Sequence, residues 1–179
     1  MPLSITITLM IPEYEKILEK SKSQQKEIQR QMLFLSKLNK KNFDHIVADY
    51  HDEVFAEIDC LKCGNCCRVL GPRFRDKDVK IIAKEIGTTP GEFVAEYLKA
   101  DVDAAGYDLK TVPCPFLELD NSCNIYKKRP LSCEEFPYTQ DHNIQRHLVR
   151  LAHNTLICPG AFLIVEKIME EFCQDPEGH

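Results

Sequence analysis

The sequence predicts a mainly α fold, a small irregular α+β domain with an N-terminal helical hairpin and one short β-hairpin. Three observations carry that reading. Apolar residues recur at helical spacing in separate stretches along the chain. Capping signals stand at helix starts. Residues 116–126 alone alternate around a tight turn in the manner of paired strands. With 179 residues, 44% of them hydrophobic, the chain can bury a core as one domain with a helical appendage.

The first nine residues, Met1 to Leu9, read as an alternating strand or an extended end. They carry no basic stretch and no Ala-x-Ala site, so an export signal is not expected. From Glu13 to Leu38, the residues Tyr14, Leu18, Ile28, Met32 and Leu35 fall on a spacing near 3.5, with polar Ser21 and Gln25 interrupting the stripe. Asn39 to Asn42 reads as a turn in which Asn42 caps the next helix. Phe43, Ile46, Val47, Tyr50, Val54 and Ile58 then form the apolar face of a helix running to Cys60. Ordinary core packing explains both stripes better than a docking face does. Val79, Ile82, Ala83 and Ile86 mark a further helix, with Asp76 and Asp78 at its positive end and Gly87 as a left-handed stop. Thr89-Pro90-Gly91-Glu92 is a capping box with proline at the first helical position, followed by Phe93, Val94, Tyr97 and Leu98. Phe116 to Tyr126 reads as a hairpin turning at Asp120-Asn121. Pro130 starts a short helical turn that carries Cys133, and Asn143 to Ile157 admits a strand pair or a loop. Ala161, Val165, Ile168 and Phe172 mark the last helix, opened by Cys158-Pro159-Gly160.

Acidic residues outnumber basic ones by 28 to 23, which disfavours general adhesion to nucleic acid or to an anionic membrane surface. Lys127-Lys128-Arg129 is basic but short, with no aromatic ladder beside it for stacking bases. No apolar run is long enough for a transmembrane helix. The unusual number is nine cysteines, an odd count in a chain too long to need disulfide staples. Clustered cysteines without an export signal point to metal ligands or redox groups, rather than disulfides, in a reducing, cytoplasmic compartment.

Four of them stand within eight residues, at Cys60, Cys63, Cys66 and Cys67. A C-x-x-C turn aims two sulfurs at one point, which is why zinc sites and iron–sulfur proteins both use it. Gly64 lets the backbone fold back toward the sulfurs, while Lys62 and Arg68 offset part of the thiolate charge. Cys114, Cys123, Cys133 and Cys158 follow in turns and at element ends, where scaffolds present ligands. The eight together suit two four-coordinate sites, or one cluster and a second site. Cys60, Cys63 and Cys66 can share an ion or a cubane, with Cys114 or Cys158 as the remote ligand, because the proline after each restrains its direction. Cys173 falls outside the set, and His142, His147 and His153 read more readily as surface residues than as ligands. The spacing accepts either zinc or an iron–sulfur cluster.

The ordered set of motifs resembles the CxxCxxCC cysteine-cluster family, of the YkgJ type. The resemblance rests on Cys60-x-x-Cys63-x-x-Cys66-Cys67, Cys114-Pro115-Phe116-Leu117, Cys123-Asn124-Ile125-Tyr126, Arg129-Pro130-Leu131-Ser132-Cys133 with Phe136-Pro137, and Cys158-Pro159-Gly160. It covers about residues 43–165 and implies a domain that chelates zinc or iron. One branch of that family comprises flagellin lysine N-methylases proposed to use an iron–sulfur cluster, but this chain has none of that branch's long extra sequence. The expected organisation is an N-terminal helical segment over 1–42, a cysteine-cluster metal-binding domain over 43–165 and a C-terminal helix and tail over 166–179.

Three functional classes follow. One is a metal-cluster protein with an oxidoreductase or group-transfer role, of which a lysine N-methylase-like enzyme is a variant. Another is a soft-metal carrier. The third is a structural zinc module that meets a protein partner through its N-terminal helices. The expected partner in every case is a metal ion or cluster, with no nucleic acid and no membrane.

Overall fold

The computed structural model describes residues 10–101 and 105–173, so the strand or extended end expected at 1–9 lies outside the described residues. In chain order the helices are α1 (Pro12–Leu35), α2 (Phe43–Phe55), α3 (Cys60–Cys63), α4 (Asn65–Val69), α5 (Asp76–Glu85), α6 (Pro90–Tyr97), α7 (Leu131–Glu135), α8 (Leu148–Asn154) and α9 (Pro159–Phe172). The strands are β1 (Arg73–Phe74), β2 (Leu98–Ala100) and β3 (Tyr107–Leu109). The fold is mainly α, as expected. It divides into two compact units that do not follow the chain in order, one of Ile11–Asp59 with Pro137–His179, the other of Met1–Met10 with Cys60–Phe136.

The first unit is helical. Ile28, Met32 and Leu35 of α1, Phe43 and Val47 of α2, Leu148 and Leu151 of α8, and Phe162, Val165 and Ile168 of α9 share one buried core. The two polar residues that interrupt the α1 stripe have a structural explanation. Ser21 is fully buried and donates to the Thr155 carbonyl at 2.9 Å, while Gln25 donates to the Ala152 carbonyl at 2.9 Å. They satisfy carbonyls that the end of α8 leaves without helical partners. The ambiguous stretch Asn143 to Ile157 is helical, with a 3-10 turn at Ile144–His147 followed by α8. Leu148, Leu151 and Ala152 bury one face there at helical spacing. Asn42 stands at the start of α2 as expected, but in the left-handed conformation and without a side-chain cap bond.

Gly160 admits the Phe55 ring, since a β-carbon there would lie 2.7 Å from the ring edge. Gly160→Ala is expected to destabilise this unit by about 1–3 kcal/mol through overpacking. A thermal melt followed by circular dichroism, showing a midpoint several degrees lower, checks it.

The second unit has its own, largely aromatic core of Phe74, Phe93 and Phe116 with Val79, Ile82 and Ile125. Phe93 stacks on Phe116 at 6.1 Å between ring centroids. The expected capping box opens α6, with Thr89 N donating to Glu92 Oε2 at 2.9 Å and Glu92 N donating to Thr89 Oγ1 at 3.3 Å. Gly87 adopts the expected left-handed conformation after α5. The three strands form one antiparallel sheet in the order β1-β3-β2, and the short hairpin with a paired ladder is β2–β3, Leu98 opposite Leu109. The turn expected over 116–126 is present as a single antiparallel bridge between Leu117 and Cys123, with Asn121 left-handed at its tip. Buried Phe116 and Ile125 are committed to the core, and the segment carries no longer ladder.

Candidate metal centre

Seven of the eight cysteines singled out from the sequence, Cys60, Cys63, Cys66, Cys67, Cys114, Cys123 and Cys133, lie in the second unit. Cys158 lies in the first, where its sulfur accepts from the Ala161 backbone N–H at 3.4 Å and caps α9. All nine cysteines carry thiols. Cys173 packs against the first unit's helical core.

The C-x-x-C turn is built by two very short helices and the residue between them. Cys60 and Cys63 begin and end α3, and Gly64, at φ 58°, turns the chain into α4, which carries Cys66 and Cys67. A β-carbon at Gly64 would stand 2.9 Å from Arg68 Nη1 and 3.2 Å from Asn121 Oδ1. That crowding matters because Arg68 is the clamp of this loop. It donates to the Cys63 carbonyl at 2.7 Å and also to the side chain of buried Asn121, at the tip of the turn that leads to Cys123. The Cys114 backbone N–H donates to the Cys67 carbonyl at 2.7 Å and joins a third segment to the loop. Cys133 is brought in by α7. Ser132 beside it accepts from Arg73 N at 3.2 Å and donates to the Arg73 carbonyl at 2.8 Å, while the Leu131 N–H donates to the Asp78 carboxylate.

Three of these thiols share one local arrangement. Cys63, Cys114 and Cys123 each accept a backbone N–H from the residue two positions on, respectively Asn65, Phe116 and Ile125. An N–H aimed at sulfur favours the thiolate, the form that ligates a metal. Burial works the other way. It pushes Cys133 up to about 12 and Cys114 up to about 11, and it raises Cys63 and Cys123. Cys67 is the exception, lowered to about 7 chiefly by a hydrogen bond from Cys66, with the Arg68 and Arg129 charges helping against burial. The Cys67 charge acts on Cys63, Cys114, Cys123 and Cys133 alike, so this thiol is common to the whole group.

Among the described residues, no three His, Cys, Asp or Glu side chains stand close enough to hold an ion between them. The thiols are gathered but not closed on one point. Their chemistry nonetheless fits a thiophilic cation. Soft donors converge from three chain segments, backbone N–H groups point at three of them, and a buried guanidinium nitrogen, Arg129 Nε, has no hydrogen-bond partner. The thioether of Met10 lies 3.6 Å from the Cys63 sulfur and adds a further soft donor at the edge of the group. A surface pocket of about 320 Å³ beside the sheet, lined by Leu70, Gly71, Lys99 and Lys110 among others, contains no cysteine.

Two further residues bear on the site. Met10 carries no local pattern that marks it in the sequence. Arg129 stands there as the end of a short basic run and the start of the Arg129-Pro130-Leu131-Ser132-Cys133 motif, and neither pattern brings its side chain near the thiols.

Comparison with known proteins agrees with this chemistry. The model of the CxxCxxCC family, whose description proposes a zinc- or iron-chelating domain, matches residues 59–155. An uncharacterised protein of Methanocaldococcus jannaschii is 32% identical over 117 residues. The match covers 63% of this chain and 63% of that relative's length. No solved structure matches.

Proposed function

Because the chain belongs to the CxxCxxCC family, which is described as chelating zinc or iron, we propose that it is a thiolate metal protein whose second unit closes around its ion. Cys67, Cys114, Cys123 and Cys133 are the proposed four-thiolate set. Cys60, Cys63 and Cys66 flank it on the preceding turn and supply the further ligands of a larger cluster or of a second site, and Cys158 is the remaining candidate. The observation that carries the reading is the repeated N–H-to-sulfur turn at Cys63, Cys114 and Cys123. Donors aimed at sulfur stabilise the thiolate, the form that ligates a metal. A bound zinc supplies Lewis acidity and a fixed tetrahedral node, and an iron–sulfur cluster supplies one-electron chemistry.

The residues themselves hold protons until metal arrives. Each ligating thiol must lose its proton, so metal binding releases protons and strengthens as pH rises. At pH 7 the raised thiols of Cys114, Cys123 and Cys133 are protonated, while the Cys66 hydrogen bond holds Cys67 below the ordinary thiol range. Calorimetric zinc titration of the anaerobic apoprotein in buffers of different ionisation enthalpy is expected to show roughly three to four protons released per ion. Elemental analysis and an absorption spectrum of protein purified without air then separate zinc from iron. Release of fewer than one proton, or no uptake of either metal, rejects the reading.

A carrier role is the second reading, and Cys60 favours it. This thiol is exposed, while Cys63, three residues on, is buried beside the Met10 thioether. Ligands that pass from exposed to buried suit stepwise transfer of a soft ion.

A further inference from the structure

Arg129 carries a polar atom that the second unit leaves unused, its Nε, although the guanidinium also hydrogen-bonds to the Tyr126 side chain. Among the described residues, its Nε is the buried side-chain nitrogen that lacks a hydrogen-bond partner. Leaving a buried donor unmade is costly, and more so when the group is charged. The fold nevertheless holds this one in place. The guanidinium carbon lies 4.1 Å from the centroid of the Tyr126 ring, a cation–π platform. The 3-10 turn Tyr126–Lys128 delivers the chain to Arg129, and buried Pro130 restricts it to φ −54°, ψ 151°. A side chain fixed on both sides with its inner N–H unpaired is waiting for an acceptor that the fold itself does not supply.

Its surroundings identify that acceptor. Arg129 stands in the chain between Cys123 and Cys133, and its charge acts on Cys67, Cys123 and Cys133, while Cys60 acts on it in turn. Glu134 is the carboxylate that also reaches it, and it is exposed. Four thiolates on one divalent ion leave a net charge of −2 in a partly buried place, and such charge is tolerated only where cations and N–H donors offset it. Arg68, the other nearby cation, is spent on the Cys63 carbonyl and Asn121.

We propose that Arg129 is the positioning cation of the thiolate site, its Nε–H donating to a metal-bound sulfur of the Cys67, Cys114, Cys123 and Cys133 set and its charge offsetting that of the site. The inference rests on the metal reading above. On binding, the thiol protons leave to solvent and sulfur–metal bonds replace them, so Arg129 neither gains nor loses a proton.

The test uses the full-length apoprotein, prepared without air and titrated with Co(II), whose sulfur-to-metal charge-transfer band reports the donor strength of the thiolates. Arg129→Leu is expected to weaken Co(II) binding about 10–100-fold, as loss of an outer-shell partner does. Its charge-transfer band should move to lower energy, because sulfur without an N–H donor gives up electron density more readily. Arg129→Lys keeps the charge without the Nε geometry and should recover part of the affinity and part of the band shift. Affinity within about threefold of the unaltered chain, with the band unmoved in Arg129→Leu, overturns the proposal while leaving the metal site intact. Absence of Co(II) uptake by the unaltered chain removes the site and this inference with it. Should Arg129→Leu fail to fold by circular dichroism, Arg129→Lys decides alone, and an unmoved band there overturns the proposal.

Discussion

Replacing Cys67 with serine is expected to weaken zinc or Co(II) binding roughly a hundredfold to a thousandfold, whereas replacing Cys173 leaves it unchanged. Cys67 is the thiol whose charge acts on Cys63, Cys114, Cys123 and Cys133, and its carbonyl anchors the Cys114 segment at 2.7 Å. Four thiolates give a structural zinc about 10–16 kcal/mol, so one ligand is worth on the order of 2.5–4 kcal/mol, roughly a hundredfold to a thousandfold in affinity. Cys173 packs in the other unit, against the helical core. The measurement is metal stoichiometry and competition affinity across single Cys→Ser variants purified without air. Cys63→Ser belongs in the series, since the C-x-x-C turn depends on it. Equal loss from Cys173 and Cys67 would mean that the ligand set is misassigned. Unchanged affinity in the Cys67 variant would remove the site.

The second large effect concerns metal removal. Stripping the ion with a chelator should loosen residues 60–70 and 114–135 while the helical core of α1, α2, α8 and α9 keeps its protection. The reason is where each unit keeps its apolar mass. Ile28, Met32, Phe43, Leu148, Phe162 and Ile168 are buried in a core that contains no proposed ligand except Cys158 at its margin. The thiol-bearing segments consist of four- and five-residue helices and turns, held by polar contacts such as the Arg68 clamp and the Ser132–Arg73 pair. Structure that rests on few buried contacts opens first. Hydrogen exchange read by mass spectrometry is expected to show protection in those segments falling about tenfold or more on chelation, or roughly 1.4 kcal/mol and above. Loss of protection throughout α1 and α9 would show instead that the metal holds the whole fold together.

Local causes were legible in the sequence. The Thr89–Glu92 box and the Gly87 stop act over three or four residues and appear where they were expected. The α1 and α2 stripes were legible for the same reason, but not the purpose of Ser21 and Gln25. Their partners, the carbonyls of Thr155 and Ala152, are more than 120 residues away. The helical state of Leu148–Asn154 was hidden because a short apolar run suits strand and helix alike until its packing is known. The ladder hairpin was expected at 116–126 and lies at 98–109, since register depends on which side chains the core claims.

The candidate site divides along the same line. By itself the sequence determined that this is a chain of clustered thiols, which turns carry them, and that the chemistry is that of zinc or iron. Those properties follow from residue type and from spacings of three residues, which fix direction along one turn of backbone. Only the tertiary structure decided that Cys67 is common to Cys114, Cys123 and Cys133, and that Arg129, whose charge acts on Cys67, Cys123 and Cys133, keeps a buried Nε without a partner. It also decided that the two N-terminal helices share a core with α8 and α9, although more than 90 residues separate them along the chain. Burial and charge act through space, at distances of a few ångströms between segments far apart in sequence, and no local pattern records which segments will meet.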